Sequence, residues 1–368
     1  MKNIAVFLGG ESIEHEISCI TGTLTLNCVD KSIFSVIPVY VSLEGSWWTG
    51  EALFDVDFYK NVDYKKLKKV CIPSGSNLLY EIKRKKLKPI CEIASAINCM
   101  HGERGEDGSL YGFLNLCKIP VVGSPTFASA LSMSKEYTKL ALKGLGVKTL
   151  PYLTVKDKSD YRQVEKLFEY PVIVKPDTGG SSIGISVAQN RFELENAISF
   201  ALRYSERAVI EQKLTDFIEI NCACYGANGE FCVSECEKPI SRDNILSFED
   251  KYKNGEREFP ADIPKKLSSK IKQITAKIYR ELGFSGVIRV DFLVDNGEVF
   301  VNEINSVPGS LSYYLFTKTL KEWSAVLTNL INQSLENFAR QSTLIKKYHS
   351  GILSLTGSKG AKRLKNKR

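Results

Sequence analysis

Four residues between Gly286 and Gly309 have the types and spacing of a site for a metal ion and a phosphate. Arg289 and Asp291 lie in one β-rich run, and Glu303 and Asn305 lie in the next, beyond an Asp-Asn-Gly turn. Alternate residues of a strand share one face, so each pair points to one side of the sheet. Carboxylate and amide oxygens suit Mg²⁺, and the adjacent arginine indicates a phosphorylated or oxyanionic ligand. The alternative is a salt bridge beside two solvated acids on an exposed sheet face.

The length of the connecting turn decides whether the two pairs face each other. A two-residue loop at Asn296 and Gly297 would put the two carboxylates on opposite faces of the sheet. A three-residue loop with Gly297 in the left-handed region, as in a G1-bulge hairpin, would put all four side chains on one face. We predict the three-residue loop.

A glycine-rich segment upstream predicts a second phosphate-binding element. Residues 172–187 are typical of a strand that ends in a lysine, Lys175, followed by a Gly/Ser loop and a returning strand. Such a loop lays backbone amides and hydroxyls over a phosphate chain. It is not the Walker pattern, because no Gly-Lys-Ser/Thr sequence opens a helix here. The alternative for this segment is a mobile hairpin tip.

Other junctions between strands and helices carry polar residues and glycine. Gly9 and Gly10 follow a short apolar strand, and residues 101–108 follow another before a helix. Glycines at a helix N-terminus let an anion approach the backbone, although any such turn can contain glycine. In the second junction, Glu106 and Asp107 could simply complement the helix dipole.

Two further segments complete the set that could position a ligand. Ser134 is a candidate N-cap for a helix through Leu145, with Lys135 in its first turn and Lys139 one turn later. Residues 243–260 form a polar stretch without clear periodicity, and we expect a loop that closes over a ligand.

The composition is that of an ordinary soluble globular protein with two or three domains. The chain has 368 residues, of which 43% are hydrophobic and 25% are charged. It shows no apolar run of membrane-span length and no signal peptide, so a cytoplasmic protein without a membrane span is predicted.

The net charge is +8, but residues 357–368 alone carry six positive charges. We therefore expect a solvated tail and no nucleic-acid partner.

The motifs together resemble the D-alanine-D-alanine ligases of the ATP-grasp superfamily. The resembling segments occur in the order and spacing of that family over residues 2–316. The segments are residues 8–18, 101–114, 123–135, 172–184, 248–252 and 289–309.

The resemblance implies an α/β fold, α+β in the ATP-grasp part, with three domains. These are a Rossmann-like N-terminal α/β domain at 1–120, a central lobe with the Gly/Ser phosphate loop at 121–212, and a C-terminal lobe with the Mg²⁺ site at 213–340. Residues 341–368 would form a basic, flexible tail. The family is commonly dimeric, so a homodimer is expected.

The implied reaction joins two D-alanine molecules in two steps at the expense of ATP. The carboxylate of the first D-alanine attacks the γ-phosphate to give an acyl phosphate, and the amine of the second displaces phosphate. The product would be D-alanyl-D-alanine for peptidoglycan synthesis, with ATP as co-substrate and two Mg²⁺ ions, or Mn²⁺, as cofactors.

The resemblance also assigns roles to particular residues. Metal ligation falls to Asp291, Glu303 and Asn305. ATP binding falls to Lys135, Lys175, Ser182, Gly184, Glu211 and Glu219. The catalytic group comprises Glu14, Ser181, Arg289, Lys251 and Tyr252, of which Lys251 matches the lysine of the lid. The substrate-binding group comprises His101, Gly309, Ser312 and Tyr314.

Departures from the family pattern leave the identity of the second substrate open. Tyr314 stands at the place of a serine that binds the carboxylate of that substrate, unless Ser312 replaces it after local rearrangement. Ser134 and Tyr111 replace a common aspartate and a common glutamine. A ligase that joins D-alanine to another amino acid therefore stays open, although Tyr252 resembles the peptide-forming members. A nucleotide-binding protein without turnover is disfavoured because the costly charged residues are intact.

Overall fold

The computed structural model describes residues 1–84, 86–227, 229–240 and 256–351. The chain divides into two compact units, residues 1–335 and residues 336–368. Three sheets of four or more strands lie in the first unit, at residues 2–122, 152–212 and 218–305. The division into domains at residues 120 and 212 stays a prediction. Of the predicted tail, residues 352–368 lie outside the described residues.

An eight-stranded sheet forms the N-terminal part, with the order β6-β5-β4-β3-β2-β1-β7-β8. Strand β1 pairs in parallel with β2 and β7, and its residues from Ile4 to Leu8 are fully buried. A continuous apolar run is what a strand covered on both faces requires. The elements are β1 (Lys2–Gly9), α1 (His15–Cys28), β2 (Phe34–Val41), β3 (Trp47–Thr49), β4 (Lys68–Cys71), β5 (Leu78–Lys83), β6 (Lys86–Glu92), β7 (Ser95–Asn98), α2 (Ser109–Leu116) and β8 (Val121–Val122).

A glycine turn connects β1 to α1, as the sequence predicts. Gly9 has φ +84°, and a Cβ there would lie 2.3 Å from the carbonyl oxygen of Val41. Only glycine fits this approach, and the turn brings the N-terminus of α1 to the carboxyl end of the parallel strands.

The next part of the chain forms an antiparallel four-stranded sheet with the order β11-β10-β12-β9. Ser134 caps the helix that carries Lys135, because its hydroxyl accepts a hydrogen bond from the Tyr137 amide, as predicted. The elements are α3 (Thr126–Met133), α4 (Lys135–Gly144), β9 (Tyr152–Val155), α5 (Tyr161–Leu167), β10 (Val172–Pro176), β11 (Ser186–Ala188), α6 (Arg191–Ala201) and β12 (Ala208–Gln212).

A second antiparallel four-stranded sheet, with the order β14-β13-β17-β18, follows. The amphipathic helix α7 packs Ile271 and Ile278 into the core that covers one face of this sheet. The opposite face is left for the polar residues of β17 and β18. The elements are β13 (Ile218–Ala227), β14 (Glu230–Val233), β15 (Lys238–Pro239), β16 (Arg257–Glu258), α7 (Lys265–Glu281), β17 (Val287–Asp295), β18 (Glu298–Asn305) and α8 (Leu320–Ser342).

A short 3₁₀ segment, Gly309–Leu315, lies between β18 and α8. Strands β15 and β16 pair as a small separate ribbon. No helix in the part of the chain that the structure describes is long and apolar enough to cross a membrane.

Candidate active site

The β17–β18 hairpin turns through two residues, so the predicted three-residue loop is wrong. Asp295 pairs with Glu298 across Asn296 and Gly297, whose φ angles are 49° and 78°. Two consecutive positive φ values are those of a type I′ turn, whose twist matches the twist of the flanking strands. With this turn alone, the two carboxylates would point to opposite faces.

A β-bulge in β18 reverses that outcome. The pairing shifts by one residue just beyond Asp291, and Asn302 is left as the extra residue. Because one inserted residue changes the parity of all later pairs, Asp291 lies opposite Glu303 and Arg289 lies opposite Asn305. The prediction that all four share one face is confirmed, with a bulge rather than a longer turn as its cause.

Arg289 and Asp291 form a bidentate ion pair on this face. Nε and Nη2 of Arg289 donate to the two carboxylate oxygens of Asp291 at 2.6 and 2.8 Å. The amide nitrogen of Asn305 donates to Asp291 Oδ2 at 3.1 Å. The fork geometry of the guanidinium fixes the direction of the carboxylate toward the cleft.

The donor chemistry of this face fits Mg²⁺. Asp291, Glu303 and Asn305 offer hard oxygen atoms on neighbouring strands, which is the ligand type that Mg²⁺ selects. Among residues 1–84, 86–227, 229–240 and 256–351, no group of three or more His, Cys, Asp or Glu side chains is arranged to hold a metal. An ion bound by these two carboxylates and one amide would therefore need phosphate or water oxygens as its other ligands.

Lys135 and Lys175, the two predicted phosphate lysines, line the same cleft. Lys135 Nζ donates to the carbonyl oxygen of Gly179 at 2.9 Å, which ties α4 to the glycine-rich loop. Lys175 Nζ donates to Oδ1 of Asn302 at 3.1 Å. The bulge therefore has a second effect, because it turns Asn302 toward the lysine at the end of β10.

A buried charge network, Lys139–Glu211–Lys175, lies beneath these lysines. Lys139 and Glu211 form an ion pair in which both side chains are at most 3% exposed. Lys175 Nζ lies 2.6 Å from the other oxygen of Glu211. Burial alone would raise the pKa of Glu211, but the ammonium groups of Lys175 and Lys139 lower it to about 2. Glu211 is thus an anion that neutralises both lysines.

The glycine-rich loop folds back onto Glu14. The hydroxyl of Ser181 donates to the Glu14 carboxylate, and a Cβ at Gly180 would lie 3.0 Å from the same group. Ser182 lines the cleft. Gly184 has φ +78°, and a Cβ there would lie 2.6 Å from the Pro176 ring, so this position requires glycine.

A second pocket adjoins the cleft and contains Glu14, His101 and Glu106. His101 is buried and its Nε2 lies 2.9 Å from the hydroxyl of Thr21. Burial and the charge of Arg289 lower the pKa of His101 to about 3, so its ring is neutral near pH 7.

Glu106 also belongs to this pocket, although neither its spacing nor the resemblance to the family gives it a site role. Its carboxylate accepts hydrogen bonds from the backbone amides of Gly102 and Val307, each at 3.0 Å. Burial and the neighbouring Glu14 raise the pKa of Glu106 to about 8. The helix-dipole interpretation fits only the next residue, Asp107, which accepts from the first amide of α2. Glu106 instead fastens the histidine loop to the segment before Gly309.

The segment after Gly309 contains both candidates for the second-substrate position, Ser312 and Tyr314, and they differ in their surroundings. Ser310, Leu311 and Ser312 have φ values of 49–51°, a left-handed conformation that is rare outside glycine. Ser312 is fully buried, and its hydroxyl has no hydrogen-bond partner among the residues that the structure describes. Tyr314, in contrast, lines the cleft. Tyr314 rather than Ser312 is therefore placed to meet a ligand.

The remaining predicted residues fall in different places. Gly309 lines the second pocket, and Glu219 lines the cleft. Lys251 and Tyr252 lie outside the described residues. Lys139 was not assigned a site role, although its position one helical turn after Lys135 was the available signal.

Comparison with known proteins identifies the family. The profile of the D-ala D-ala ligase N-terminus matches residues 3–124, and that of the D-ala D-ala ligase C-terminus matches residues 141–336. The chain belongs to the D-alanine-D-alanine ligase family. The matched ranges contain all the predicted site residues except Lys135, which falls between them.

Individual relatives of this ligase family cover almost the whole chain. A D-alanine–D-alanine ligase of Thermosipho melanesiensis is 37% identical over 92% of this chain and 95% of its own length. A D-alanine–D-alanine ligase of Wolinella succinogenes is 36% identical over 89% of this chain and 93% of its own length.

Solved structures show the same fold. The D-alanine-D-alanine ligase from Helicobacter pylori has a TM-score of 0.74 and 29% identity, covering 95% of this chain and all of its own. The VanG D-Ala:D-Ser ligase from Enterococcus faecalis has a TM-score of 0.75 and 26% identity, covering 92% of this chain and 99% of its own. The predicted α/β fold of the ATP-grasp ligases is confirmed.

Proposed function

We propose that this chain joins two D-alanine molecules, with ATP as co-substrate, to give D-alanyl-D-alanine for peptidoglycan synthesis. The observation that carries the proposal is that the two pockets share lining residues. Lys135, Arg289 and Glu303 line both the phosphate cleft and the pocket that contains Glu14. A carboxylate in the second pocket and a terminal phosphate in the first would meet at this shared wall, which is what phosphoryl transfer to an amino acid requires.

On this proposal, the first step draws on the positive and metal-binding groups of the shared wall. Lys135 and Lys175 bind the phosphates, while Ser182 and the loop backbone up to Gly184 cover them. Mg²⁺ held by Asp291, Glu303 and Asn305 would neutralise charge on the phosphates. Lys251 of the proposed lid would act on the transferred phosphate.

The amino-acid pocket would orient the first D-alanine. The carboxylate of Glu14 would hold the ammonium group, and Ser181 donates a hydrogen bond that orients that carboxylate. Arg289 would stabilise the oxyanion that develops when the second amine attacks. His101, which is neutral, would lie beside the second substrate, with Tyr252 and Gly309 completing the site.

One adenosine role is less direct than the resemblance implied. The carboxylate of Glu211 is already paired with two lysines, so a contact with adenosine would have to be made beside these ion pairs. Glu219, on the neighbouring sheet, lines the cleft and is the better candidate. The homodimer, the cytoplasmic location and the use of Mn²⁺ stay predictions.

A second candidate function is a ligase that joins D-alanine to a different amino acid. The replacement of serine by Tyr314 at the cleft wall favours it, and a D-Ala:D-Ser ligase is among the structural relatives.

Phosphate release from ATP and Mg²⁺ would test both functions. D-Alanine would be supplied alone and then paired with other D- and L-amino acids and with D-lactate, and products would be identified by mass. Turnover with D-alanine alone supports the main proposal. Turnover only with a mixed pair would replace it with the second, and no turnover with any pair would contradict both.

A further inference from the structure

An arginine outside the predicted site lies on the wall that Tyr314 forms. Arg257, in β16, holds its guanidinium carbon 4.0 Å from the centre of the Tyr314 ring. Its side chain is 44% exposed, and both residues line the cleft together with Arg289. Stacking on a ring face leaves the N–H donors at the guanidinium edge directed outward.

Glu237 is an acidic neighbour of this arginine. Glu237 is buried, and its Oε1 lies 3.7 Å from Nε of Arg257. Its second oxygen accepts from the side-chain amide of Asn221 at 3.2 Å. Asn221 in turn pairs with Asp291 across β13 and β17. The arginine is thus connected to the strand that carries Arg289.

The segment that supplies Tyr314 also reaches the histidine pocket. The backbone amide of Ser310 donates to the hydroxyl of Thr21 at 3.0 Å, and that hydroxyl contacts His101. Both phosphate lysines, by contrast, are held by other groups, namely the glycine-rich loop, Glu211 and Asn302. Arg257 and Tyr314 line the same cleft as these lysines, and Arg289 lines both that cleft and the pocket that contains His101, so Arg289 links the wall of Arg257 to the histidine pocket.

We propose that Arg257, supported by the ring of Tyr314, binds the carboxylate of the amino acid that accepts the acyl group. The inference rests on the proposed function and names the chemical class of its second substrate, a carboxylate-bearing amine. A tyrosine in place of serine then exchanges a hydroxyl contact for an arginine held on an aromatic face. A guanidinium can form two parallel hydrogen bonds with a carboxylate, which a single hydroxyl cannot.

The test separates the two half-reactions. D-Alanine supplies the donor, and either D-alanine or D-alaninamide serves as acceptor, because the amide lacks the carboxylate and cannot itself be a donor. Hydroxylamine reports the first half-reaction alone, since it attacks the acyl carbon of the acyl phosphate and releases phosphate as the hydroxamate forms. Wild type, R257A, R257K, Y314F and Y314A are compared, with R280A as a matched control, because Arg280 is exposed on α7 and pairs with Glu281.

We expect the substitution of Arg257 to weaken the binding of the acceptor and to leave the first half-reaction unchanged. R257A should raise the KM for acceptor D-alanine by about tenfold or more, because one charge-assisted contact with the carboxylate is lost. For the same reason, R257A should lose most of its preference for D-alanine over D-alaninamide. Hydroxamate formation and the KM for ATP should stay within about twofold of wild type. R257K, Y314F and Y314A should lie between wild type and R257A, with a smaller change in Y314F than in Y314A because Y314F keeps the ring, and R280A should show no change.

Two outcomes overturn the inference while leaving the proposed function intact. Unchanged acceptor kinetics in R257A would exclude the contact, and an equal rise in the KM for ATP would place Arg257 on the nucleotide. If the wild-type protein forms neither hydroxamate nor dipeptide, the proposed function itself fails.

Discussion

The two walls of the cleft hold their charges in different ways. On the phosphate side, Lys139, Glu211 and Lys175 form a buried network in which one carboxylate serves two ammonium groups. On the acceptor side, Arg257 is nearly half exposed and rests on the ring of Tyr314. Removing one member of the buried network leaves another charge unpaired in the interior, whereas Arg257 reaches solvent, although its neighbour Glu237 is buried.

This difference bears on the departure at Tyr314, whereas the replacement at Ser134 lies beside Lys135 on the phosphate side. The residues that would handle ATP are held by buried contacts between sheets, so changing one leaves another charge unpaired. The acceptor wall is built from a short ribbon and a 3₁₀ segment at the edge of the cleft. A change there alters what the wall can bind without disturbing the phosphate side.

The largest effect should follow from removing a carboxylate at the shared wall. E303Q and D291N should each lower ATP-dependent turnover at least on the order of 100-fold, because a neutral amide is a poorer ligand for Mg²⁺. ADP release measured over a Mg²⁺ titration checks this. E298Q, on the exposed end of the same hairpin, is the control and should keep wild-type activity. Wild-type turnover in E303Q would contradict the assignment of the metal site.

Breaking the phosphate-side network should cost stability. K139M leaves Glu211 with one ammonium group in place of two, and we expect a loss of about 3 kcal/mol in the free energy of unfolding. Denaturant unfolding of the ligand-free protein measures it. K143M, one turn later and exposed on α4, should change little. The double variant K139M/E211Q should recover part of the loss, and strict additivity of the two changes would argue against a coupled network.

The amino-acid pocket should give the protein a dependence of stability on pH. Because the pKa of Glu106 rises to about 8 in the folded protein from an ordinary 4.5, the folded state binds more protons between those values. Stability from this group is present at low pH and is lost as the pH rises through about 8. E106Q cannot titrate, so its Tm should fall less than that of wild type between pH 6 and 8.5. E103Q, an exposed acid in the same loop, should behave as wild type, and parallel curves for E106Q would refute the shift.

The smallest effect should come from the bulge residue. N302A removes the acceptor at 3.1 Å from Lys175 but leaves the ion pair with Glu211. We expect a loss of about 1 kcal/mol in the free energy of unfolding and a several-fold rise in the KM for ATP. The same measurements on N296A, at the exposed turn, provide a comparison for the hairpin. A loss as large as that of K139M would mean that the bulge itself depends on this side chain.

Local signals in the sequence predicted much of the site. The serine cap of α4, the glycine turn after β1 and the shared face of Arg289, Asp291 and Glu303 are all short-range features. The hairpin loop was predicted wrongly because a bulge and a longer turn have the same effect on parity. Turn residues cannot distinguish them when the bulge lies several residues away.

Contacts between distant segments could not be predicted in this way. Glu211 meets Lys139 only because β12 and α4 pack together, and Arg257 meets Tyr314 only because β16 lies beside the 3₁₀ segment. In neither pair are the two residues separated along the sequence by an interval that the periodicity of a strand or a helix would bring together. Resemblance to the family did not supply them either, since it carries over only residues that match its motifs.

The most direct test of the account is the product formed from D-alanine, ATP and Mg²⁺ by the purified chain, identified by mass and counted against ADP. The account predicts D-alanyl-D-alanine, with one ADP and one phosphate for each dipeptide. Release of ADP and phosphate without a dipeptide would contradict it, because the shared wall would then deliver phosphate to water rather than to an amino acid.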